Sequence, residues 1–331
     1  MQNLAAKDPA RAALIEAMLA APDDLELERS LLAHGRVQDG EVPILAGSTT
    51  SRSAATRRNA TKLLTSRSAN SVLAASTLRE RVLDTSDVKV WSIAILCLLE
   101  IPANRSLATA HSELRSKALA SKDATEFRAG LTAGLLAGDA AARASLDSAL
   151  NHPDDAIRKV AIAALSATGD PSFAPLLLAR LATERLPGPL NEIVAALVAS
   201  SSPKAKTAMR QAFAQADITK SMILITALHD QLRSARPWVD ELLVEMASHS
   251  GPLRKTAIEF LIEENNPQQV IPLCLKVYEE APLETDPSWT ENLFCQKPCS
   301  TYLSRLANRP LQGAEAMAFA RQWLQDHRKP G

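Results

Sequence analysis

The sequence predicts an all-α fold built from stacked helix pairs, and three observations support this prediction. Apolar residues make up 46% of the 331 residues and aromatic residues only 4%, and this mixture, rich in Ala and Leu, favours helices that pack closely. Apolar residues recur at helical spacing through most of the chain. Short stretches with helix-capping residues separate the periodic segments. A chain of this length can form one elongated array.

Residues 152–181 show the pattern of one helix pair most clearly. Asp154 or Asp155 can cap a first helix, and Gly169 can adopt the left-handed conformation that ends it. Asp170 can cap a second helix with Pro171 at its first position, where no N–H is needed. The apolar faces comprise Ile157, Val160, Ala161, Ala164 and Leu165 in the first helix, and Phe173, Leu177 and Leu181 in the second. Because so small a pair cannot bury both faces alone, it has to stack on others like it.

Residues 1–50 predict N-terminal capping helices followed by a loop. Asp8 and Pro9 open one helix, and Pro22 and Asp23 open the next, which Gly35 ends. Residues 36–50 are loop-like around a short helical turn at 42–45.

Over residues 51–281 the sequence predicts a series of helix pairs that form a repeat array. Phe127, Ile157, Leu190 and Leu253 start equivalent first helices at separations of 30, 33 and 63 residues, so one repeat is near 32 residues. The pattern is interrupted at 187–189, where two prolines flank a glycine. The predicted helices are 52–65 with 72–83, 88–99 with 107–119, 126–137 with 140–150, the pair within 152–181, 190–199 with 205–214, 218–232 with 237–247, and 253–263 with 268–280.

Residues 282–331 predict a C-terminal loop and capping helices. Residues 281–300 contain three prolines, Trp289 and Phe294, and show no helical period. Helices are expected at 301–307 and 313–327. The segment either caps the apolar face of the last repeat, which we favour, or forms a recognition loop with aromatic anchors.

Three segments carry a family resemblance: DDAIRKVAIAALSATGDPSFAPLLLARL, GPLRKTAIEFLIEENNPQQVIPLCLKV and SKDATEFRAGLTAGLLAGDAAARASLDSAL. Each resembles a HEAT repeat of the short bacterial kind that is also found in phycobilisome lyase subunits. The resemblance implies a right-handed α-solenoid of about eight stacked antiparallel helix pairs, whose second helices line the concave face. The family binds proteins, nucleic acids and occasionally small molecules, so the fold alone does not assign a function.

The sequence contains none of the common catalytic motifs. It lacks a P-loop, G-x-G-x-x-G, H-E-x-x-H and G-x-S-x-G, so we predict that the protein is not an enzyme and has no catalytic residues and no cofactor. Cys97 and Cys274 lie in apolar runs and are expected in the core. Cys295 and Cys299 form a C-x3-C pair without the further ligands that a zinc site needs, so neither a metal nor a disulfide is predicted there.

Charge is balanced overall but unevenly distributed along the chain. Lys and Arg number 37, as do Asp and Glu, which argues against a general attraction to nucleic acid or to an anionic membrane. Residues 42–79 contain six basic and no acidic residues, whereas residues 240–286 are mainly acidic. The candidate partner-binding residues are Arg52, Arg57, Arg58, Lys62, Arg67, Arg79, Arg180, Arg185, Glu263, Glu264, Glu279, Glu280, Trp289 and Phe294.

These observations predict a non-enzymatic scaffold that binds another protein, such as an adaptor, an assembly factor, or an inhibitor or immunity protein. One alternative is nucleic-acid binding of the kind seen in HEAT-like alkylpurine DNA glycosylases, suggested by the basic stretch. A weaker alternative, suggested by the resemblance, is a lyase-type chromophore-handling subunit. The N-terminal residues lack a secretory pattern, and the longest apolar run, 93–99, is too short to cross a membrane. We therefore expect a cytoplasmic protein.

Overall fold

The computed structural model describes residues 4, 8–199, 204–231, 237–248, 253–264, 266–280 and 289–327, with the backbone alone for 34 and 289–294. Helices and their connections account for all of these ranges, and no strand occurs within them. The predicted all-α class is confirmed. The chain forms two compact units, Met1–Gly169 and Asp170–Gly331. The division into segments 1–50, 51–281 and 282–331 stays a prediction.

The first unit is a stack of helix pairs. Its helices are α1 (Pro9–Ala20), α2 (Asp24–His34), α3 (Val42–Ser48), α4 (Ala54–Thr65), α5 (Val72–Asp84), α6 (Val88–Leu99), α7 (Ser112–Leu119), α8 (Ala124–Leu136), α9 (Ala140–Leu150) and α10 (Asp155–Thr168). The first helices pack in succession, α4 on α6, α6 on α8 and α8 on α10, and each of α4, α6 and α8 also packs on its own second helix. The core lies between the layer of first helices and the layer of second helices, and it includes Trp91, which is fully buried.

The second unit repeats this arrangement. Its helices are α11 (Ala174–Thr183), α12 (Pro187–Ala199), α13 (Ala205–Gln215), α14 (Ile218–His229), α15 (Pro237–Ser248), α16 (Arg254–Glu263), α17 (Pro267–Glu279), α18 (Trp289–Ala307) and α19 (Gly313–Asp326). Helices α12, α14, α16 and α18 pack in succession in one layer, and α11, α13, α15, α17 and α19 in the other. Contacts between helices that are two apart along the chain are typical of a helical-repeat fold.

Capping aspartates begin many of these helices, as the sequence predicts. Asp154 accepts a hydrogen bond from the Ala156 N–H at 2.9 Å and caps α10, and Gly169 ends that helix with φ +59°. The same side-chain cap begins other α-helices at Asp8, Asp23, Asp87, Asp123, Asp139 and Asp217. A carboxylate at this position satisfies N–H groups that have no partner inside the helix.

Two predicted helix boundaries are wrong. The predicted helix 107–119 is a 3-10 segment, Pro102–Thr109, followed by α7, because His111 has φ +51° and interrupts the helical path. The predicted break at 187–189 is instead the first turn of α12. A proline is tolerated there because the first-turn N–H groups have no intrahelical acceptor.

The C-terminal segment also differs from the prediction. Helix α18 begins at Trp289, twelve residues before the expected start at Thr301, and it contains Pro298. Cys295, Cys299, Tyr302 and Leu303 are buried at helical spacing in the core of the second unit. Pro298 obscured this period, because a proline is rare in the interior of a helix.

Candidate protein-binding groove

Most of the basic residues between 52 and 79 pair with carboxylates on other helices. Arg57 binds Asp87 at 2.8 Å, and Lys62 binds Asp24 at 2.7 Å. Further contacts of this set join Arg58 to Asp24 and to the carbonyl oxygen of Pro22, Arg67 to Asp39, and Arg79 to the Asn104 amide oxygen. Arg52 is exposed. Because three carboxylates pair with four of the six side chains, the stretch presents less positive charge than its sequence suggests.

The other predicted partner-binding residues are similarly engaged within the second unit. Arg180 pairs with Glu184 at 2.8 Å, and Arg185 pairs with Asp217 at 2.9 Å. Of the acidic residues, Glu263 pairs with His229, Glu279 with Arg321, and Glu280 with Arg254 and Lys276. Glu264 is exposed, and the side chains of Trp289 and Phe294 lie outside the described residues. Their role in partner binding stays a prediction.

An open groove of about 510 Å³ lies where the ends of α8, α9 and α10 meet in the first unit. Phe127 of α8 and Ile157 and Val160 of α10 form its apolar wall and are each only half-buried. The remaining lining residues are Ser121, Lys122, Ala124, Ser145, Ser148, Ala149, His152, Asp154 and Ala156. The groove therefore exposes side chains that the repeat pattern would assign to a core.

Two glycines of α8 allow α7 and α9 to pack closely against this helix. A Cβ on Gly130 would overlap the backbone of Leu119 in α7, and a Cβ on Gly134 would lie 2.5 Å from the Cβ of Ala142 in α9. Real Cβ atoms do not approach so closely, so only glycine permits this packing. Phe127 precedes Gly130 by about one turn and lies at the edge of the tightly packed region.

The turn between α9 and α10 is held rigidly at the rim of the groove. Arg158 is 8% exposed, and its Nη1 donates to the carbonyl oxygens of His152 and Pro153, each at 2.8 Å. The Asp154 N–H donates to His152 Nδ1 at 3.1 Å. The rim is thus preorganised, and its charged groups are one cation, Lys122, and one carboxylate, Asp154, which is engaged as a helix cap.

The lining residues do not form a known catalytic arrangement. No hydrogen bond joins His152 to Ser145 or Ser148 in the part of the chain that is described. Across the described ranges, no three His, Cys, Asp or Glu side chains lie close enough to hold a metal ion, and no helix there has the length and apolar character needed to span a bilayer. The groove offers apolar contact area and a few scattered polar groups.

Sequence reasoning singles out three apolar residues of the groove lining but does not predict the groove. Phe127 and Ile157 were identified as equivalent positions in consecutive repeats, and Val160 was assigned to an apolar face. Ala161, Ala164 and Leu165 of that face are buried as predicted. The available signal was the presence of large apolar residues at the N-terminal ends of two neighbouring first helices.

Comparison with known proteins finds no family and a structural similarity with a low TM-score. No family model matches the sequence, and no curated protein matches it. Among solved structures, the chain is similar to one in the complex of CpcE and CpcF of phycocyanin lyase from Nostoc sp. PCC7120, with 15% identity over 77% of this chain and 93% of that chain. The TM-score is 0.31, so this similarity carries no argument about function.

Proposed function

We propose that this protein is a non-enzymatic scaffold of HEAT-like repeats that binds another protein through the groove between α8, α9 and α10. The partner contributes an apolar side chain, aliphatic or aromatic, that packs on Phe127, Ile157 and Val160. One observation carries the proposal: large apolar side chains at equivalent positions of consecutive repeats line an open groove instead of a closed core. The cytoplasmic location remains part of this proposal.

The open shape and the lining of the groove favour a polypeptide over a small ligand. Small-molecule sites are concave and bury most of the surface of the ligand, whereas this groove is open. Interfaces between proteins instead depend on a few buried aromatic or aliphatic anchors surrounded by a polar rim. The groove has this composition.

Nucleic-acid binding is supported less well. A binding face needs lysines and arginines that are free to replace counterions on phosphates, and Arg57, Arg58, Lys62 and Arg67 are engaged with carboxylates. The chromophore-handling alternative has no supporting residue in the described part of the groove.

Photo-crosslinking in cells of the native host tests the proposal directly. A benzoylphenylalanine placed at Ser148, which is exposed in the groove, should crosslink a discrete protein. The same probe at Ala144, an exposed position of α9 outside the groove lining, is the control and should not crosslink that protein. Equal crosslinking from both positions, or none from Ser148, would contradict the groove as the binding site.

Retention on the purified protein gives a second readout. The crosslinked partner should bind wild type and Ala144→Arg equally, and should bind Ser148→Arg at least tenfold more weakly, because the new side chain occupies the groove. Both changes are at exposed positions, so circular dichroism should be unchanged. Retention of a nuclease-sensitive species or of a coloured ligand instead would support one of the alternatives.

A further inference from the structure

A second open groove, of about 470 Å³, lies between α16 and α18 in the second unit. Its apolar lining comprises Phe260 and Ile262 of α16 and Pro298 and Tyr302 of α18. Phe260 and Ile262 are only half-buried, so apolar surface of α16 stays open in the groove. The remaining lining residues are Lys255, Glu259, Glu263, Lys297, Thr301 and Arg305.

The polar residues of the lining form one row on each helix. The row on α16 consists of Lys255, Glu259 and Glu263. The row on α18 consists of Lys297, Thr301 and Arg305. Within each row the residues are four apart in sequence, so they share one face of the helix and repeat about every 6 Å along its axis. Each row therefore follows the groove for about 12 Å.

Among the described residues, no ion pair joins the two rows across the groove. Glu259 pairs with Lys255 of its own helix at 3.3 Å, and Glu263 lies 3.1 Å from His229 of α14. The row on α16 thus carries two carboxylates and one ammonium group, whereas the row on α18 carries two cations and no carboxylate. The groove has an apolar floor between a mainly acidic wall and a basic wall.

Two stacking contacts hold charged side chains of both walls against aromatic rings. The His229 ring stacks on Phe260 with ring centroids 3.9 Å apart, and the same histidine contacts Glu263. On the other wall, the Arg305 guanidinium lies over the Tyr302 ring, 5.3 Å from its centroid, and Tyr302 is buried. Because these side chains are already restrained, less conformational entropy is lost when a partner binds to them.

We propose that this groove binds an amphipathic helix of a protein partner, whose apolar stripe is flanked by acidic residues along one edge and by basic residues along the other. The apolar stripe packs on Phe260, the acidic edge faces the row on α18, and the basic edge faces Glu259 and Glu263 on α16. This surface is a second one, in addition to the groove between α8, α9 and α10.

A helix matches the three-sided lining better than an extended segment does. Residues at i and i+4 of a bound helix repeat about every 6 Å, which is the interval within each row. A helix presents an apolar stripe and a charged edge on each side of it at the same time, whereas a strand directs successive side chains to opposite faces. A wholly acidic helix would meet the two carboxylates of α16, and a wholly basic one would meet the two cations of α18, so the groove favours a helix with both charges.

Binding of synthetic helical peptides to the full-length protein tests this surface. Three fluorescein-labelled peptides of about 15 residues are stapled on their outer face to hold the helix, and they share the same stripe of leucines. The first carries Glu on one edge and Lys on the other, the second carries Glu on both edges, and the third carries Lys on both. In fluorescence anisotropy the mixed peptide should bind with a dissociation constant of about 10–100 µM. Each of the other two should bind about tenfold more weakly, because it meets one wall of like charge.

Charge reversal on α18 distinguishes this recognition from non-specific apolar binding. Lys297→Glu combined with Arg305→Glu makes both walls acidic, so the peptide with Lys on both edges should become the tightest binder. Arg52→Glu combined with Arg143→Glu is the matched control, because both positions are exposed and lie outside the lining and the change in net charge is the same. This control, and Ser148→Arg in the groove of the first unit, should keep the wild-type order of affinities.

The outcomes that would overturn the proposal are equally specific. They are no binding of the mixed peptide at about 1 mM, equal binding of all three peptides by wild type, an unchanged order of affinities in the α18 double variant, and the same change of order in the matched control.

Discussion

Asp87 caps the first turn of α6 and at the same time accepts a hydrogen bond from Arg57 in α4 at 2.8 Å. Its other carboxylate oxygen accepts from the N–H groups of Lys89 and Val90. Asp123 repeats the arrangement one pair later, capping α8 and binding Lys89 of α6. One carboxylate therefore both starts a first helix and joins it to the first helix of the preceding pair.

We expect Asp87→Ala to destabilise the first unit by about 1–2 kcal/mol, because it removes a helix cap and an ion pair together. The two contributions separate in a double-mutant cycle with Arg57→Ala, measured by urea unfolding. A coupling energy of about 0.2–1 kcal/mol is expected for the pair itself. A coupling of zero would show that Asp87 acts only as a cap.

Gly130→Ala should destabilise the protein by more than about 2 kcal/mol, because the new Cβ would overlap the backbone of Leu119. Gly47→Ala is the matched control. Gly47 is also helical, and a Cβ there meets nothing within 4 Å, so this change should be neutral or stabilise α3 by about 0.5–1 kcal/mol. Equal effects of the two changes in thermal unfolding would contradict the close approach of α7 and α8.

Arg254→Met should destabilise the second unit by about 2–3 kcal/mol. Arg254 is 2% exposed, and its Nε donates to the Ala247 carbonyl oxygen at 3.2 Å, so the change leaves a buried acceptor without that donor. Lys255→Met, at the next position, removes only an exposed pair with Glu259 and should change the free energy of unfolding by less than about 0.5 kcal/mol. Similar effects of both changes in chemical unfolding would contradict this assignment.

Asp24 should titrate below its ordinary value of 3.8, because the hydrogen bond from Lys62 lowers its pKa. A carboxyl with a depressed pKa in the folded state stabilises the fold above 3.8, and this contribution is lost as pH falls through the folded-state pKa. It should remain below about 1 kcal/mol, because the carboxylate is 54% exposed. A carbon-13 NMR titration should show the pKa of Asp24 moving upward in Lys62→Met; an unchanged pKa would contradict the pairing.

The sequence by itself determined the all-α class, the order of most helices and many of their caps. These features depend on interactions within a few residues, such as Asp154 with Ala156 or the left-handed Gly169, and a local pattern records them. Sequence reasoning failed at α18, where Pro298 concealed a buried helix face, because whether a residue is buried depends on the helix that packs against it.

Only the tertiary structure decided which charges face outward and which apolar residues stay uncovered. The stretch 52–79 is basic in sequence, yet its acidic partners Asp24, Asp39 and Asp87 come from positions about 28–38 residues away along the chain. Lys220 is buried and donates hydrogen bonds to the carbonyl oxygens of Leu181 and Ala182. The residues next to Lys220 in the sequence do not predict these hydrogen bonds. Gly130 and Gly134 set the close packing of α8 against α7 and α9, and the groove beside Phe127 and Ile157 lies where the ends of α8, α9 and α10 meet. Pairing and spacing of this kind are properties of the packed layers, since they depend on residues that are distant in sequence and adjacent only after folding.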